Sequence, residues 1–271
     1  MAISINSTRF PVSAREQYFR VARYYRKASF FIRHNASDPR LSNLLNASLA
    51  DFQAAIKLLP QPAHYLWLNT TQNFTVPVYF YPAKQTQSSQ QQKICFIPEW
   101  REAVMLVVDY VATRDDVDVE RLGLGGISYG GLLAPLAVTQ EHRFAAVLTI
   151  DGMLNLQQLL ETEFPLSLTK LASSGNRTAF NAAVEEAYSV PGTSTTFRWA
   201  VDQGTWLFDT PDDPYEWYEK TGAIYLDEAK LQQDSLPCLC WLGAEHQLGM
   251  VTLDWLVDVF DWKTGNSTTT H

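Results

Sequence analysis

The sequence predicts an α/β architecture with a mostly parallel sheet, helices added ahead of it, and a helical cap in the middle. Two observations carry that expectation. Short apolar runs near 121–126, 145–150 and 237–242 alternate with helical patterns at 99–114, 132–139 and 251–260, which is how strands and crossover helices read in a parallel sheet. The first of those runs also ends in Gly126-Ile127-Ser128-Tyr129-Gly130, a Gly-x-Ser-x-Gly placed between a strand and a helix. With 271 residues, 46% hydrophobic and 18% charged, the chain is long and apolar enough to bury a core, and its composition excludes a disordered tail or a coiled coil.

In chain order, residues 14–33 carry apolar and aromatic positions at helical spacing (Tyr18, Val21, Ala22, Tyr25, Ala28, Ser29, Ile32), with Ser13 and Glu16 spaced as a capping box. Arg15, Arg20, Arg23, Arg26, Lys27 and Arg33 form a basic face that could recruit acidic ligands, but the plainer reading is that helix's solvated face. A second helix is expected over Leu41–Leu59, stopping before Pro60. Val76–Tyr81 reads as an edge strand, since Pro77 cannot donate to a central ladder, and Lys84–Lys93 as a polar linker. Residues 155–235 are helical and aromatic (Trp199, Trp206, Phe208, Tyr215, Trp217, Tyr218), a composition suited to a cap over an apolar ligand. The expected organisation is therefore 1–75 as an N-terminal helical segment, 76–154 as the first part of the core, 155–235 as the cap, and 236–271 as the second part of the core.

A net charge of −8 offers no basic face for nucleic acid. Cys95, Cys238 and Cys240 are too few for a closed disulfide framework and lack zinc-ligand spacing, so they read as reduced thiols. No run reaches the 18 or so apolar residues of a membrane span, the first eight residues resemble no secretory leader, and the last three are no peroxisomal signal. The expectation is a soluble, cytoplasmic protein.

The chemistry concentrates at the Gly-x-Ser-x-Gly. A serine on a strained strand–helix turn projects its hydroxyl from the end of the sheet, and the backbone N–H of Tyr129 can face a developing oxyanion. The alternative is a glycine-rich turn in which Ser128 merely caps the helix. Of the five histidines (His34, His64, His142, His246, His271), His246 follows the last strand and precedes the last helix, where the base of a Ser…acid…His order falls. His142, in Glu141-His142-Arg143, reads as a surface residue. For the acid, Asp151 ends the strand after the elbow and could reach the same histidine, although Asp151-Gly152 also reads as a turn. Glu245 is adjacent to His246, and neighbouring side chains of an extended segment point apart.

Four stretches carry a family resemblance: Tyr24–Phe31 with Asp38-Pro39-Arg40; Pro98-Glu99-Trp100 leading into Val107–Tyr110; Asp116–Arg121 through Ser128, Gly131–Pro135 and Glu141–Arg143 to Asp151-Gly152; and Gly243-Ala244-Glu245-His246-Gln247 with Phe260-Asp261-Trp262. In these the chain resembles the fungal α/β-hydrolase family of secondary-metabolite clusters, which includes the melanin-pathway yellowish-green pigment hydrolase and the fusarin-type and host-selective-toxin hydrolases. The resemblance implies an α/β-hydrolase fold and a serine hydrolase acting on a small polyketide-like substrate by ester, lactone, lactam or carbon–carbon chemistry. It implies neither metal nor organic cofactor.

The chain departs from the family pattern twice. Only residues 82–98 lie where a strand, an oxyanion loop, a helix and a further strand are expected, and a βαβ unit alone takes about 30 residues. Between Leu242 and His246 stand three residues where an acid-bearing loop, a helix and a strand are expected. The expected sheet is therefore incomplete, with exposed strand edges that invite a homodimer. Two readings follow: a working hydrolase built on Ser128, His246 and Asp151, with Tyr129 on the oxyanion and Gly126 and Gly130 shaping the elbow, or a shortened, catalytically impaired relative that binds an apolar ligand or a partner without turnover.

Overall fold

The computed structural model describes residues 5–33, 35, 37–70, 74–82, 94–95, 101–231 and 238–242. Its strands are β1 (His64–Asn69), β2 (Thr75–Phe80), β3 (Ile94–Cys95), β4 (Leu122–Ile127), β5 (Phe144–Ile150) and β6 (Cys238–Leu242). Its helices are α1 (Pro11–Ser29), α2 (Pro39–Lys57), α3 (Arg101–Ala112), α4 (Tyr129–Val138), α5 (Leu156–Glu163), α6 (Leu166–Ser173), α7 (Arg177–Ser189), α8 (Thr195–Leu207), α9 (Pro214–Thr221) and α10 (Glu228–Leu231). The chain divides into two compact units, one of residues 1–64 with 156–224 and one of residues 65–155 with 225–271.

The second unit holds a parallel sheet in the order β3-β4-β5-β6. Leu122–Gly126 and all of β5 are buried, as a sheet covered on both faces requires. Val104 and Val108 of α3, Ala134, Ala137 and Val138 of α4, Leu122 and Leu124 of β4, and Phe144 and Val147 of β5 form one cluster. Each fully buried Val, Leu or Phe there contributes about 1.5–3 kcal/mol. Registers Ile127↔Ile150 and Ile150↔Leu242 bring β4, β5 and β6 to a common end. Cys95 in β3 and the two cysteines of β6 are separated by two intervening strands, about 14 Å at the usual strand spacing, which is beyond any disulfide.

The first unit is helical. Phe19 of α1 meets Phe52 of α2 at 5.8 Å between ring centroids, and the Ser48 hydroxyl donates to the Ala22 carbonyl at 2.8 Å. Asp38 caps α2 by accepting from the Arg40 N–H at 2.9 Å, with Pro39 at the first helical position. In the cap helices Phe164 packs against Phe180, Phe197, Trp217 and Tyr218 with centroids 5.8–6.2 Å apart.

Several sequence expectations are corrected. α1 begins at Pro11, a turn before the expected capping box, and no side chain caps it. A proline at the first helical position has its φ already set and no N–H to satisfy, so Ser13 and Glu16 lie inside the helix. No strand was expected at 64–69, where His64 opens β1 and His-Tyr-Leu-Trp-Leu-Asn pairs with β2. β3, two residues long, is the one described element in the stretch 82–98 read as too short for a strand, an oxyanion loop, a helix and a further strand. Arg33 does not join the solvated basic face of the first helix, for it is only 6% exposed. Tyr215, Trp217 and Tyr218 are buried in a cluster formed within α5–α9. The expected helix at 251–260 lies outside the described residues.

Candidate active site

β4 delivers Ser128 to the end of the sheet, and α4 starts at the next residue. Ser128 takes φ 56° and ψ −119°, a backbone region that costs a non-glycine residue about 1–3 kcal/mol and survives only where the surroundings enforce it. Here they do. The Ser128 N–H donates to the Ile150 carbonyl at 2.8 Å, locking the turn to β5, and the Gly131 N–H donates to the Ser128 carbonyl at 2.8 Å. A methyl group on Gly126 would lie 1.9 Å from the Gly130 carbonyl oxygen, so only glycine allows the strand and helix to pass so closely. A methyl on Gly130 would meet nothing within 4 Å; the motif's second glycine matters through its carbonyl, not through its missing side chain.

The structure also answers whether Ser128 serves as a helix cap. Its side chain makes no capping hydrogen bond to α4 and the residue is exposed. Tyr129 is the first residue of α4, at the positive end of a ten-residue helix dipole.

β5 ends in a second residue of positive φ, Asp151 at 50°. Since Ile127 pairs with Ile150, Ser128 and Asp151 follow the two strands at adjoining positions on the same sheet end. Sequence reading missed the contact behind this arrangement: a methyl on Gly131 would lie 2.7 Å from the Gly152 Cα, so the start of α4 and the exit of β5 touch backbone to backbone. The signal was present as a glycine after each positive-φ residue's turn, but only the β4–β5 register pairs the two glycines in space.

His246 lies outside the described residues; β6, which precedes it by four residues, ends beside Ile150 at the end of the sheet that carries Ser128. Of the other histidines, His64 starts β1 and His142 is exposed in the turn before β5, while His34 and His271 lie outside the described residues. At the far end of β5 from Asp151, Arg143 donates to Glu141 at 2.7 Å and to Asp109 of α3 at 2.7 Å. Burial pulls the Glu141 carboxyl up, but the hydrogen bonds and charge of Arg143 outweigh it and hold that carboxyl below its usual range. Among the described residues no group of three or more His, Cys, Asp or Glu is placed to hold a metal ion. No described helix is long and apolar enough to cross a membrane.

The prolyl oligopeptidase family matches residues 102–195, the segment that contains β4, the elbow and β5. A 20-hydroxy-prefusarin hydrolase of Gibberella moniliformis is 26% identical over an alignment of 254 positions, covering 72% of this chain and 59% of the relative. This chain therefore spans less than two thirds of that relative's length. Among solved structures, AbyA5 is 15% identical with a TM-score of 0.48, covering 93% of this chain and 88% of the other. A 2,6-dihydroxy-pseudo-oxynicotine hydrolase is 14% identical with a TM-score of 0.45, covering 96% and 92%. The parallel sheet and the strand–Ser–helix turn are those of an α/β-hydrolase fold, incomplete among the described residues, and the chain is similar in sequence to a fungal secondary-metabolite hydrolase.

Proposed function

We propose that the chain is a serine hydrolase acting on a polyketide-derived intermediate in fungal secondary metabolism. The observation that carries the reading is the Ser128 backbone, held at φ 56° by the Gly126–Gly130 approach and by the hydrogen bond to Ile150, with its hydroxyl engaged in no cap. Strain of this kind, kept at an exposed serine, has a use when that serine must present a nucleophile.

In the proposed reaction the Ser128 Oγ attacks an acyl carbonyl while His246 takes its proton, and the Tyr129 N–H at the start of α4 stabilises the oxyanion. His246 then returns the proton to the leaving group, and water releases the acyl group by the same route. His246 fits this role because four residues of chain reach at most about 14 Å beyond the end of β6, at the sheet end that carries Ser128. Asp151 is the proposed orienter of the imidazole, on the strength of its place beside Ser128. Removing the acid of a known serine triad costs about 10⁴-fold in kcat, less than removing the nucleophile or the base, so an imperfect orienter is compatible with residual activity.

The test is covalent labelling of the full chain by a fluorophosphonate, read by intact mass. One adduct is expected on the native protein and none on a folded Ser128→Ala variant. Equal labelling of both would overturn the assignment of Ser128. A folded native protein that takes no label would instead favour the impaired relative, and the two short stretches at 82–98 and 242–246 are the observation on its side.

A further inference from the structure

Among the described residues, Arg33 is a buried cation whose guanidinium is only partly satisfied. Arg33 follows the short 3-10 turn Phe30–Ile32 that ends α1, and it is 6% exposed. Its guanidinium carbon lies 4.8 Å from the Phe30 ring centroid and 4.6 Å from that of Trp206. Nη1 donates to the Gln203 Oε1, and Nε is buried with no partner among the described residues. No carboxylate among them pairs with it; the charged neighbour that acts on it is another cation, Arg26. All these groups belong to the helical unit built from α1, α2 and the cap helices.

A buried cation without a counter-charge is costly, and ring faces and one amide recover only part of that cost. The ring contacts take the flat of the guanidinium, and Gln203 takes one end of its edge. What remains is the side formed by Nε–H and Nη2–H, the fork that accepts a carboxylate through two parallel hydrogen bonds. Trp199 meets Phe30 edge-on at 6.5 Å and is 39% exposed, which leaves aromatic surface beside a ring that Arg33 itself touches.

We propose that Arg33 is a receptor for a small-molecule carboxylate, held side-on by Nε–H and Nη2–H, with Phe30, Trp199 and Trp206 taking the flat apolar group attached to it. The ligand class is a planar aromatic or polyene acid. The site is independent of Ser128.

The probes are 1-naphthoate and its neutral isostere 1-naphthamide, titrated into the full chain by calorimetry with melting temperatures recorded alongside. Naphthoate should bind at least tenfold more tightly than naphthamide and raise the melting temperature. Arg33→Met should bring naphthoate down to the level of naphthamide without lowering the melting temperature of the unliganded protein. Arg33→Lys, which keeps the charge and loses the fork, should lose most of the preference, whereas Gln203→Ala should retain it. Equal binding of the two probes by the native chain, binding of neither, or a preference that survives Arg33→Met would each overturn the proposal. A large drop in melting temperature for Arg33→Met with no charge preference in the native chain would make Arg33 a structural residue only. Should Arg33→Met fail to fold, the native chain's ratio between the two probes decides by itself.

Discussion

Gly204 makes the residue-scale argument most plainly. It sits in the middle of α8, where alanine ordinarily gains about 1 kcal/mol over glycine. Here a methyl group would lie 2.1 Å from the Trp217 Cε2, against the roughly 3.5–4.0 Å at which carbon atoms rest. Trp217 is 2% exposed and has nowhere to go, so overpacking outweighs propensity. Gly204→Ala should destabilise the protein by about 1–2 kcal/mol, a fall in melting temperature of about 3–6 °C for a chain of this size, measured by thermal unfolding. An unchanged or higher melting temperature would mean that the indole can shift and that the packing of α8 on α9 is looser than described.

At the scale of elements, the elbow is one object made from β4, α4 and the end of β5. The two glycines of its motif are not equivalent. Gly126→Ala drives a methyl into the backbone of Gly130, which cannot yield without moving α4 away from β4. Gly130→Ala adds a methyl where nothing stands within 4 Å. Fluorophosphonate labelling of Ser128 should therefore slow by about tenfold or more in Gly126→Ala, since little over 1 kcal/mol of misplacement suffices for that, and remain close to native in Gly130→Ala. The reverse order would show that the glycine spacing, not the crossing of strand and helix, shapes the turn.

For the whole molecule, Arg143 ties the turn before β5 to both Glu141 and Asp109, and so links α3 to the sheet. The Glu141 carboxyl is held below its ordinary value of 4.5, so the folded protein binds its proton less readily than the unfolded chain. That contribution to stability is fully present above the unfolded value and is lost as pH falls through the folded one. Melting temperatures taken between pH 7 and pH 3 should fall more steeply for the native chain than for Glu141→Gln, which should also be the less stable of the two at pH 7. Parallel curves would mean that Arg143 holds the turn through Asp109 alone. Glu216, held low by Lys220, titrates in the same region in both proteins and cancels in the comparison.

Much of this protein was legible from local pattern. A strand and a helix that meet at a tight turn need glycine at fixed spacing, so Gly126-Ile127-Ser128-Tyr129-Gly130 announced itself, and the apolar runs that became β4 and β5 follow from burial on both faces of a parallel sheet. The start of α1 was misplaced because two local signals competed and Pro11 prevailed over Ser13. What only the tertiary structure decided involves partners far apart in the chain. Gly131 needs its glycine because β5 returns Gly152 to it, and the aromatics of the cap turn inward because α5–α9 pack on one another. Arg33 is buried because Gln203 and Trp206, some 170 residues away, close over a side chain that periodicity assigned to solvent. Spacing along a chain encodes which residues can share a turn or a face; which face another element will cover is set by packing, and no single segment carries that information.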